Sequence, residues 1–413
     1  MSTTPTPTPT IQWTEDRPGT TRSARWHSES ATPPPRRVIV ADDRMKADAA
    51  YRLACEGTAL LWRGDFHNAR RLLQAMARRI DRKHREHREH RKPPRPGATP
   101  AESFHLHRQA RGHRARVLGR LLVQLADDHS LALRRAPDVR QACTEAYGPP
   151  RGDGTGAGAL VVSLTELLGV IGAHQWRKKG VEVPALGARI YPHYGVFSPV
   201  RGEYVDLVAQ TPLPWPTDAG TGPRTAFDLG TGTGVLAAVL AHRGLDRVIA
   251  TDISPRALAC ARENVGRLGL TDHVEVTGPG LYPELPELPE HPRQPEGLAD
   301  LVVCNPPWIP ARPTSTVEQG VYDPDGTMLH DFLTGLPTRL RPGGEGWLIL
   351  SDLAEHLGLR TRDELLTAIG AAGLRVTGRT DTRPRHPRAR DTTDPLHRAR
   401  AAEVTSLWRL VPD

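Results

Sequence analysis

Four consecutive residues, Asn305, Pro306, Pro307 and Trp308, have the composition of a site that holds a planar NH2 group. The side-chain carbonyl of Asn305 and the main-chain carbonyl of Pro306 can each accept a hydrogen bond from one such nitrogen. Two prolines restrict the backbone, and Trp308 offers a flat face for stacking. Paired acceptors would align a weakly nucleophilic nitrogen with an electrophile and stabilise its developing positive charge. The alternative interpretation is a proline-rich turn after a strand.

A glycine-rich loop upstream has the pattern of a ligand-binding turn. A strand-like run ends at Asp228 and Leu229, and a helical pattern begins at Val235. Glycines between them allow a sharp turn and let a ligand lie against the backbone. The spacing differs from that of dinucleotide and phosphate loops, and an acid here would repel a pyrophosphate but suits an ammonium group. The candidate cofactor-binding residues of this loop are Asp228, Gly230, Thr231, Gly232 and Gly234.

A second acid follows about one β-α unit later. The run Val248–Thr251 is typical of a strand, and Asp252 comes directly after it, with Ile253 beside it. A carboxylate in this position can accept hydrogen bonds from two ribose hydroxyls. Asp252 could instead cap the helix that Ser254 and Pro255 begin, and the two roles are compatible. Asp252 and Ile253 complete the candidate cofactor site.

Together, the three glycines, the two acids and the N-P-P-aromatic motif resemble class I S-adenosylmethionine-dependent methyltransferases. Within that class, Asn305–Trp308 resembles the motif of the HemK/PrmC-type protein glutamine methyltransferases and of amino methyltransferases that act on adenine or guanine in DNA or RNA. The resemblance covers residues from about 180 to 413. It implies S-adenosylmethionine as the methyl donor, the tetrapeptide as the catalytic residues, and no metal.

Two further segments favour the HemK-like architecture, and two positions depart from it. Phe197–Glu203 resembles a segment that precedes the glycine loop in that family, and Val321–Gly326 resembles an element that follows the tetrapeptide. However, Trp308 stands where both groups usually have tyrosine. Gly280 stands where the family often has an aspartate that contacts adenine. The methyl acceptor is therefore left open between a protein glutamine and a nucleobase.

The elements that must position these residues alternate between short apolar runs and helical patterns. Five buried strands with crossovers, then two strands joined by a loop, predict an α/β fold: a doubly wound, Rossmann-like methyltransferase sheet with an antiparallel ending. Ligands bind outside the carboxyl ends of parallel strands, so the acids and the tetrapeptide should meet at one edge. The predicted strands are Ala226–Leu229, Arg247–Thr251, His273–Val276, Leu301–Cys304, Gly346–Leu350, Leu374–Thr377 and Val404–Val411.

The front half is predicted to be a separate, helical domain. Residues 1–37 are rich in Thr, Pro, Ser and Arg and are predicted to be a disordered tail. Residues 38–148 show helical spacing of apolar residues and are predicted to form a basic helical domain. Residues 149–200 are predicted to be a linker and a connector, with a hairpin or extended stretch after Val181. Residues 201–413 then form the methyltransferase domain.

Basic residues are concentrated in the front half. Residues 1–150 carry 28 Lys and Arg against 16 Asp and Glu, while the whole chain has a net charge of +8. This bias is typical of a region that attracts a polyanion, although arginine-rich composition alone could produce it. The repeat His84, His87, His90 is interleaved with Arg and Glu and favours a solvated helix over a metal site.

The composition argues against several other classes of protein. No run approaches the roughly 18–20 apolar residues that span a bilayer, and the Thr-Pro start lacks the features of a secretory signal. Four scattered cysteines without a C-x-x-C pair argue against a disulfide scaffold or a cysteine-based zinc site. These features predict a cytoplasmic protein that does not associate with membranes.

The leading hypothesis is an S-adenosylmethionine-dependent N-methyltransferase that acts on a planar NH2 nitrogen of a macromolecule. The basic front half and the run Trp176–Lys179 favour nucleic acid or a ribosome-associated target, whereas the overall architecture favours a protein glutamine. A hypothesis from a different class is a catalytically weak, S-adenosylmethionine-binding module that recognises nucleic acid or the ribosome.

Overall fold

The computed structural model describes residues 9–15, 19–89, 99–150, 158–200, 202–215, 222–284, 297–313, 317–385 and 391–413. The chain divides into two compact units. The first comprises residues 1–98 and 105–175, and the second comprises residues 99–104 and 176–413. Within the described ranges, no helix is both long enough and apolar enough to cross a membrane.

The first unit is built on a six-stranded mixed sheet. The elements up to the helix that leads into the second unit are β1 (Thr10–Thr14), β2 (Thr21–Trp26), β3 (Arg37–Ala41), α1 (Ala47–Cys55), β4 (Thr58–Trp62), α2 (Phe66–Glu89), α3 (Pro100–Leu118), β5 (Leu121–Leu125), α4 (Arg140–Tyr147), β6 (Leu160–Ser163) and α5 (Leu164–Lys179). The strand order is β1-β2-β6-β5-β4-β3. Strands β3, β4 and β5 run parallel, β6 runs antiparallel to β5, and β2 runs parallel to β6.

The sequence-based prediction of this unit is wrong in two respects. Residues 1–37 are not a disordered tail where the structure describes them, because β1, β2 and the start of β3 lie there. In β1 the alternate residues Ile11 and Trp13 are buried, and this period-2 pattern is hidden in a Thr- and Arg-rich sequence. Residues 38–148 are not all helical, because Thr58–Trp62 and Leu121–Leu125 are strands. Strands buried on both faces give unbroken apolar runs that helical spacing does not distinguish.

The predicted linker and connector also has more structure than expected. Residues 151–157 lie outside the described residues, but β6 and most of α5 belong to the first unit. The predicted hairpin is present as β7 (Val181–Val183) and β8 (Ala188–Ile190), which pair antiparallel. A 3-10 turn, Pro184–Leu186, joins these two strands.

The second unit contains the predicted doubly wound sheet. After the hairpin its elements are α6 (Glu203–Gln210), β9 (Thr225–Leu229), α7 (Val235–His242), β10 (Arg247–Thr251), α8 (Pro255–Arg267), β11 (Val274–Thr277), β12 (Ala299–Cys304), α9 (Thr327–Gly335), β13 (Leu340–Ser351), α10 (Leu353–His356), α11 (Arg362–Ala371), β14 (Leu374–Thr382), α12 (His397–Ala402) and β15 (Thr405–Pro412). The strand order is β11-β10-β9-β12-β13-β15-β14. Six of the seven strands run in the same direction, and β15 lies antiparallel between β13 and β14.

Apolar side chains cover both faces of this sheet. Along β9, Ala226 packs into one buried cluster and Phe227 into the other. Leu301 and Val302 divide in the same way along β12. A parallel sheet covered by helices on both faces requires this continuous hydrophobicity. The fold predicted for this half of the chain is confirmed, and the sheet holds the carboxyl ends of β9, β10 and β12 side by side.

Candidate functional site

The candidate residues come together at the carboxyl edge of the second unit's sheet. Asp228 lies near the end of β9, while Asp252 and Asn305 follow β10 and β12 directly. Strand β9 pairs in parallel with β10 on one side and with β12 on the other. The three side chains therefore start from the same edge of three adjacent strands, which is where open α/β sheets bind ligands.

Glycine is required at the turn between β9 and α7. Gly230, Gly232 and Gly234 have φ angles of +71°, +55° and +81°, in the left-handed region that favours glycine. A Cβ on Gly234 would lie 3.2 Å from the Cα of Ala261, so the loop also packs closely on α8. The buried Thr231 fixes the turn, because its N–H donates to the Thr251 carbonyl at 2.8 Å. The loop is thus a fixed concave turn of backbone.

Asp228 is a buried carboxylate with one oxygen satisfied and one oxygen unsatisfied. Its Oδ2 accepts hydrogen bonds from the Thr231 hydroxyl at 2.6 Å and the Ala237 N–H at 2.9 Å. Its Oδ1 is buried and has no hydrogen-bond partner. Burial raises the pKa of Asp228 to about 6, and the nearby Asp252 charge adds to this while the two hydrogen bonds oppose it. A buried oxygen without a donor is destabilising, so a bound cationic group would stabilise this site.

Asp252 is half-buried and oriented by the backbone. Its Oδ2 accepts from the Gly232 N–H at 3.0 Å and its Oδ1 from the Ser254 N–H at 2.8 Å. Burial raises the pKa of Asp252. The helix cap of α8 is Ser254, whose hydroxyl accepts from the Ala257 N–H, and not Asp252. Each Asp252 oxygen keeps a second lone pair for a ligand.

Ile253 is an apolar side chain that remains in solvent. Its exposed fraction is 74%, although it stands between two residues that are partly buried. An exposed isoleucine beside a carboxylate that could hold a ribose is placed to pack against a flat base. Gly280 stands where the resembled family often has an aspartate. Its N–H donates to the Asp252 carbonyl at 3.3 Å, so the backbone of Gly280 lies at the same edge of the sheet.

The tetrapeptide contains a hydrogen bond that the sequence does not reveal. The indole N–H of Trp308 donates to Oδ1 of Asn305 at 2.9 Å. Asn305 is half-buried, Pro306 is buried, and Trp308 packs partly buried against three apolar clusters. The bond fixes the orientation of the Asn305 amide and leaves Oδ1 one further lone pair. Tyrosine, the residue usual at this position in the resembled families, has no N–H to make this bond.

The segment after the tetrapeptide holds this loop in place. The Ile309 N–H donates to the Val321 carbonyl at 3.1 Å, and the Asp323 N–H donates to the Ile309 carbonyl at 3.0 Å. Asp323 in turn accepts from the Met328 N–H at 2.7 Å at the start of α9. Met328 also lies against Gly230, where a Cβ would clash with its terminal methyl group. The acceptor loop and the glycine loop are therefore linked through α9.

Asn264 is a supporting residue that sequence reasoning missed. It is buried on α8, and its Nδ2 donates to the carbonyls of Thr233 at 3.0 Å and Tyr191 at 3.3 Å. Its Oδ1 accepts from the Tyr191 N–H at 2.8 Å. A polar residue in an otherwise amphipathic helix is the only sequence signal, and that signal does not identify partners 73 residues away.

The sequence analysis predicted no metal-binding residues. Among the residues that the structure describes, no group of three or more His, Cys, Asp or Glu could hold a metal ion. The His84, His87, His90 repeat lies partly outside this set, because the side chain of His87 and the whole of His90 are not described.

Comparisons with known proteins address the same half of the chain. Residues 189–361 match the family described as the methyltransferase small domain. A release factor glutamine methyltransferase from Cereibacter sphaeroides is 34% identical over 178 residues, which are 40% of this chain and 59% of that protein. A ribosomal protein L11 methyltransferase from Vibrio vulnificus is 34% identical over 117 residues, 28% of this chain and 36% of that protein. The crystal structure of a methyltransferase from Pyrococcus furiosus superposes with a TM-score of 0.36 at 18% identity, covering 60% of this chain and 99% of that one. The chain thus spans less than two thirds of either curated relative.

Proposed function

We infer that this chain is a class I S-adenosylmethionine-dependent methyltransferase, since residues 189–361 match the methyltransferase small domain and the second unit carries a Rossmann-like sheet. The fold expected from the motifs is confirmed, and the family match and the two relatives support the class and the cofactor. The roles of individual residues, the methyl acceptor and the partners are our proposals.

The residues at the carboxyl edge fit the proposed cofactor. Oδ1 of Asp228, buried and without a donor, would accept the ammonium group of the methionine part. The free lone pairs of Asp252 would accept the two ribose hydroxyls, and the exposed Ile253 would cover the adenine ring. The positive-φ glycine loop leaves backbone accessible between them. When bound, S-adenosylmethionine supplies an electrophilic methyl group on a sulfonium.

The acceptor side of the site would hold a planar NH2 nitrogen. We propose that Oδ1 of Asn305 and the main-chain carbonyl of Pro306 accept its two hydrogens, so that the lone pair of the nitrogen points at the methyl group. The Trp308 N–H holds Oδ1 in the accepting orientation, and the Trp308 ring borders the planar group. As the nitrogen becomes cationic, both bonds strengthen, and the methylated nitrogen then releases one proton to water, so a separate strong base is not needed.

The substrate that these features support best is a side-chain amide of a protein. The observation that carries the proposal is the Asn305–Trp308 hydrogen bond, which presets a carbonyl acceptor next to the cofactor edge. The names of the two relatives, a release factor glutamine methyltransferase and a ribosomal protein L11 methyltransferase, support a protein of the translation apparatus as target. Such targets would place the activity in the cytoplasm. The second candidate, a nucleobase amine, is supported by the excess of arginine in the first unit.

The central test is Asn305→Ala, measured by single-turnover transfer of a labelled methyl group and by cofactor titration on the same preparation. We expect cofactor affinity to stay nearly unchanged and turnover to fall about a hundredfold or more, the scale for losing one preorganised contact to developing charge. Asn305→Asp is the matched variant, because it keeps the acceptors and adds a charge. Partial activity would favour a nucleobase amine, and complete loss would favour an amide.

The acceptor class is identified by labelling a cell lysate and treating the products with protease or nuclease. Label that is released by protease supports a protein acceptor, and label that is released by nuclease supports a nucleobase. If Asn305→Ala turns over at the wild-type rate, the tetrapeptide is a structural turn and the proposed mechanism is wrong. If the wild-type chain binds the cofactor and labels no macromolecule, the recognition-module hypothesis replaces the enzymatic one.

A further inference from the structure

The exposed side of α2 in the first unit carries a row of arginines. Residues Ala69, Leu72, Met76 and Ile80 bury one side of this helix. The opposite side is exposed, and its residues recur at helical spacing. We call the basic residues of this side the arginine face, which consists of Arg70, Arg71, Arg78 and Arg82.

Among the residues that the structure describes, acidic side chains leave three of the four arginines of this face unpaired. Among the described residues, no carboxylate within 4.0 Å pairs with Arg70, Arg71 or Arg78, and Arg82 lies 3.6 Å from Glu86 on its own helix. Seven carboxylates of the same unit are bonded to arginines outside the face, in the pairs Glu15–Arg63, Asp42–Arg44, Asp43–Arg134, Asp48–Arg79, Asp65–Arg135, Asp81–Arg114 and Asp138–Arg140. Asp81, the acid that stands between Arg70 and Arg82 on the exposed side of α2, is one of these seven. The positive charge of Arg70, Arg71 and Arg78 therefore has no paired carboxylate among the described residues, whereas Arg82 is paired with Glu86.

The geometry of the arginine face matches a phosphodiester backbone. The four arginines span about 18 Å along the helix axis, a length over which one strand of a duplex presents about five phosphates. Guanidinium groups bind phosphate oxygens in a bidentate fashion.

Between Phe66 and Arg82, the other exposed positions of α2 are His67, Gln74 and Asp81, so this described stretch lacks the aliphatic or aromatic anchors that dominate protein interfaces. Charge without an apolar centre favours nucleic acid over an acidic protein.

We propose that the arginine face of α2 binds the phosphate backbone of a nucleic acid. This goes beyond the proposed methyl transfer, because it assigns a binding surface to the unit that does not carry the cofactor residues. The contact is to phosphate and so does not select sequence. A nucleobase substrate, or a protein substrate that is itself bound to RNA, would be held by the same contact.

The test is fluorescence anisotropy of the full chain with a fluorescein-labelled 20-nucleotide RNA hairpin at 50–200 mM salt. The variant Arg71→Gln/Arg78→Gln removes two proposed phosphate contacts and keeps good helix formers. The control variant Arg44→Gln/Arg140→Gln removes the same charge from two exposed arginines that are already paired with Asp42 and Asp138. Melting temperature and cofactor titration verify that both variants are folded.

We expect the slope of log affinity against log salt to become shallower by about 1.4 to 1.8 in the test variant, and affinity at 0.1 M salt to fall about 25- to 60-fold. The control variant should retain the wild-type slope. An unchanged slope in Arg71→Gln/Arg78→Gln, or an equal loss in the control, would overturn the proposal.

Competition by polyglutamate at the same charge concentration as RNA would instead show that the face binds acidic protein. A wild-type chain that binds RNA in this way but takes up no cofactor would support this inference and refute the proposed function.

Discussion

Cofactor affinity should depend on pH, because the carboxylate proposed to accept the ammonium group titrates close to neutrality. Burial raises the pKa of Asp228 to about 6. About nine tenths of the chains then carry an ionised Asp228 at pH 7, and about one tenth at pH 5. If only the ionised form makes the contact, affinity should fall about tenfold between pH 7 and pH 5. An aspartate with its ordinary pKa of 3.8 would produce almost no change over this range.

The assay is isothermal calorimetry with S-adenosylhomocysteine, which keeps the ammonium and adenosine groups but cannot transfer a methyl group. Measurements at pH 5, 6 and 7 keep the ligand's amino group protonated, since its ordinary pKa is about 7.7–8.0. Asp228→Asn should bind more weakly by about 1–3 kcal/mol at pH 7 and should lose the pH dependence. Asp272→Asn, at an exposed position before β11, makes the same chemical change and should behave like the wild type.

Stability measurements separate this effect from misfolding. The folded chain holds a proton on Asp228 up to about pH 6, whereas the unfolded chain loses it near the ordinary value of 3.8. Folding stability therefore falls as the pH rises from about 4 to about 6, by about 3 kcal/mol in all, and this loss is absent at lower pH and complete at higher pH. Asp228→Asn should raise the melting temperature of the free chain at pH 7 and leave it unchanged at low pH. Wild-type affinity that does not vary with pH, or an Asp228→Asn variant that keeps the variation, would refute the reasoning.

Three other changes test the remaining contacts. Asp252→Ala should weaken cofactor binding by about 1–3 kcal/mol in calorimetry through the lost ribose bonds, and unchanged affinity would remove Asp252 from the site. Trp308→Phe keeps a ring but loses the 2.9 Å bond to Asn305, so single-turnover transfer should slow about 2- to 13-fold, with Trp308→Ala slower still. Equal rates for these two variants would exclude a role for the ring face. Gly234→Ala should destabilise the chain by about 1–3 kcal/mol in thermal unfolding, because of its φ of +81° and its 3.2 Å approach to Ala261, and an unchanged melting temperature would show that the loop relaxes freely.

The sheet of the second unit could be predicted because its local signals agree. Apolar runs such as Leu301–Cys304 are too short for helices and lie between helical patterns, and β12 covers the run within Ala299–Cys304. Strand β10 has the predicted bounds, Arg247–Thr251, whereas the other strands differ at one or both ends, and β13 begins at Leu340, before the predicted Gly346. The turn-like residues Arg341 to Gly344 form an irregularity in this strand, because Ala299 pairs with Leu340 and pairing resumes only at Leu301 and Glu345.

The sheet of the first unit could not be predicted because its strands are identified only by their partners. Ala24 and Trp26 are buried next to β6, more than 130 residues away in sequence, and their neighbours Arg22 and Arg25 conceal the pattern.

The candidate site also has features that could be predicted from sequence and features that could not. The types and order of Asp228, Asp252 and Asn305 follow from sequence, whereas the unsatisfied Oδ1 of Asp228 and the Trp308 hydrogen bond depend on three-dimensional orientation.

Strand β15 is synthesised after β14 but lies between β13 and β14 in the sheet. Strands β13 and β14 are made first, yet they do not pair with each other, because each pairs with β15. Until β15 is synthesised, one edge of β13 is unpaired, and this strand contains Trp347 and Ile349, which are buried in the folded chain. Glu345 also lacks its partner Arg409. A nascent chain in this state exposes an unpaired apolar strand, the feature that promotes edge-to-edge association. The cofactor strands β9, β10 and β12 can therefore assemble early, while the protein as a whole stays vulnerable to aggregation until this strand inserts.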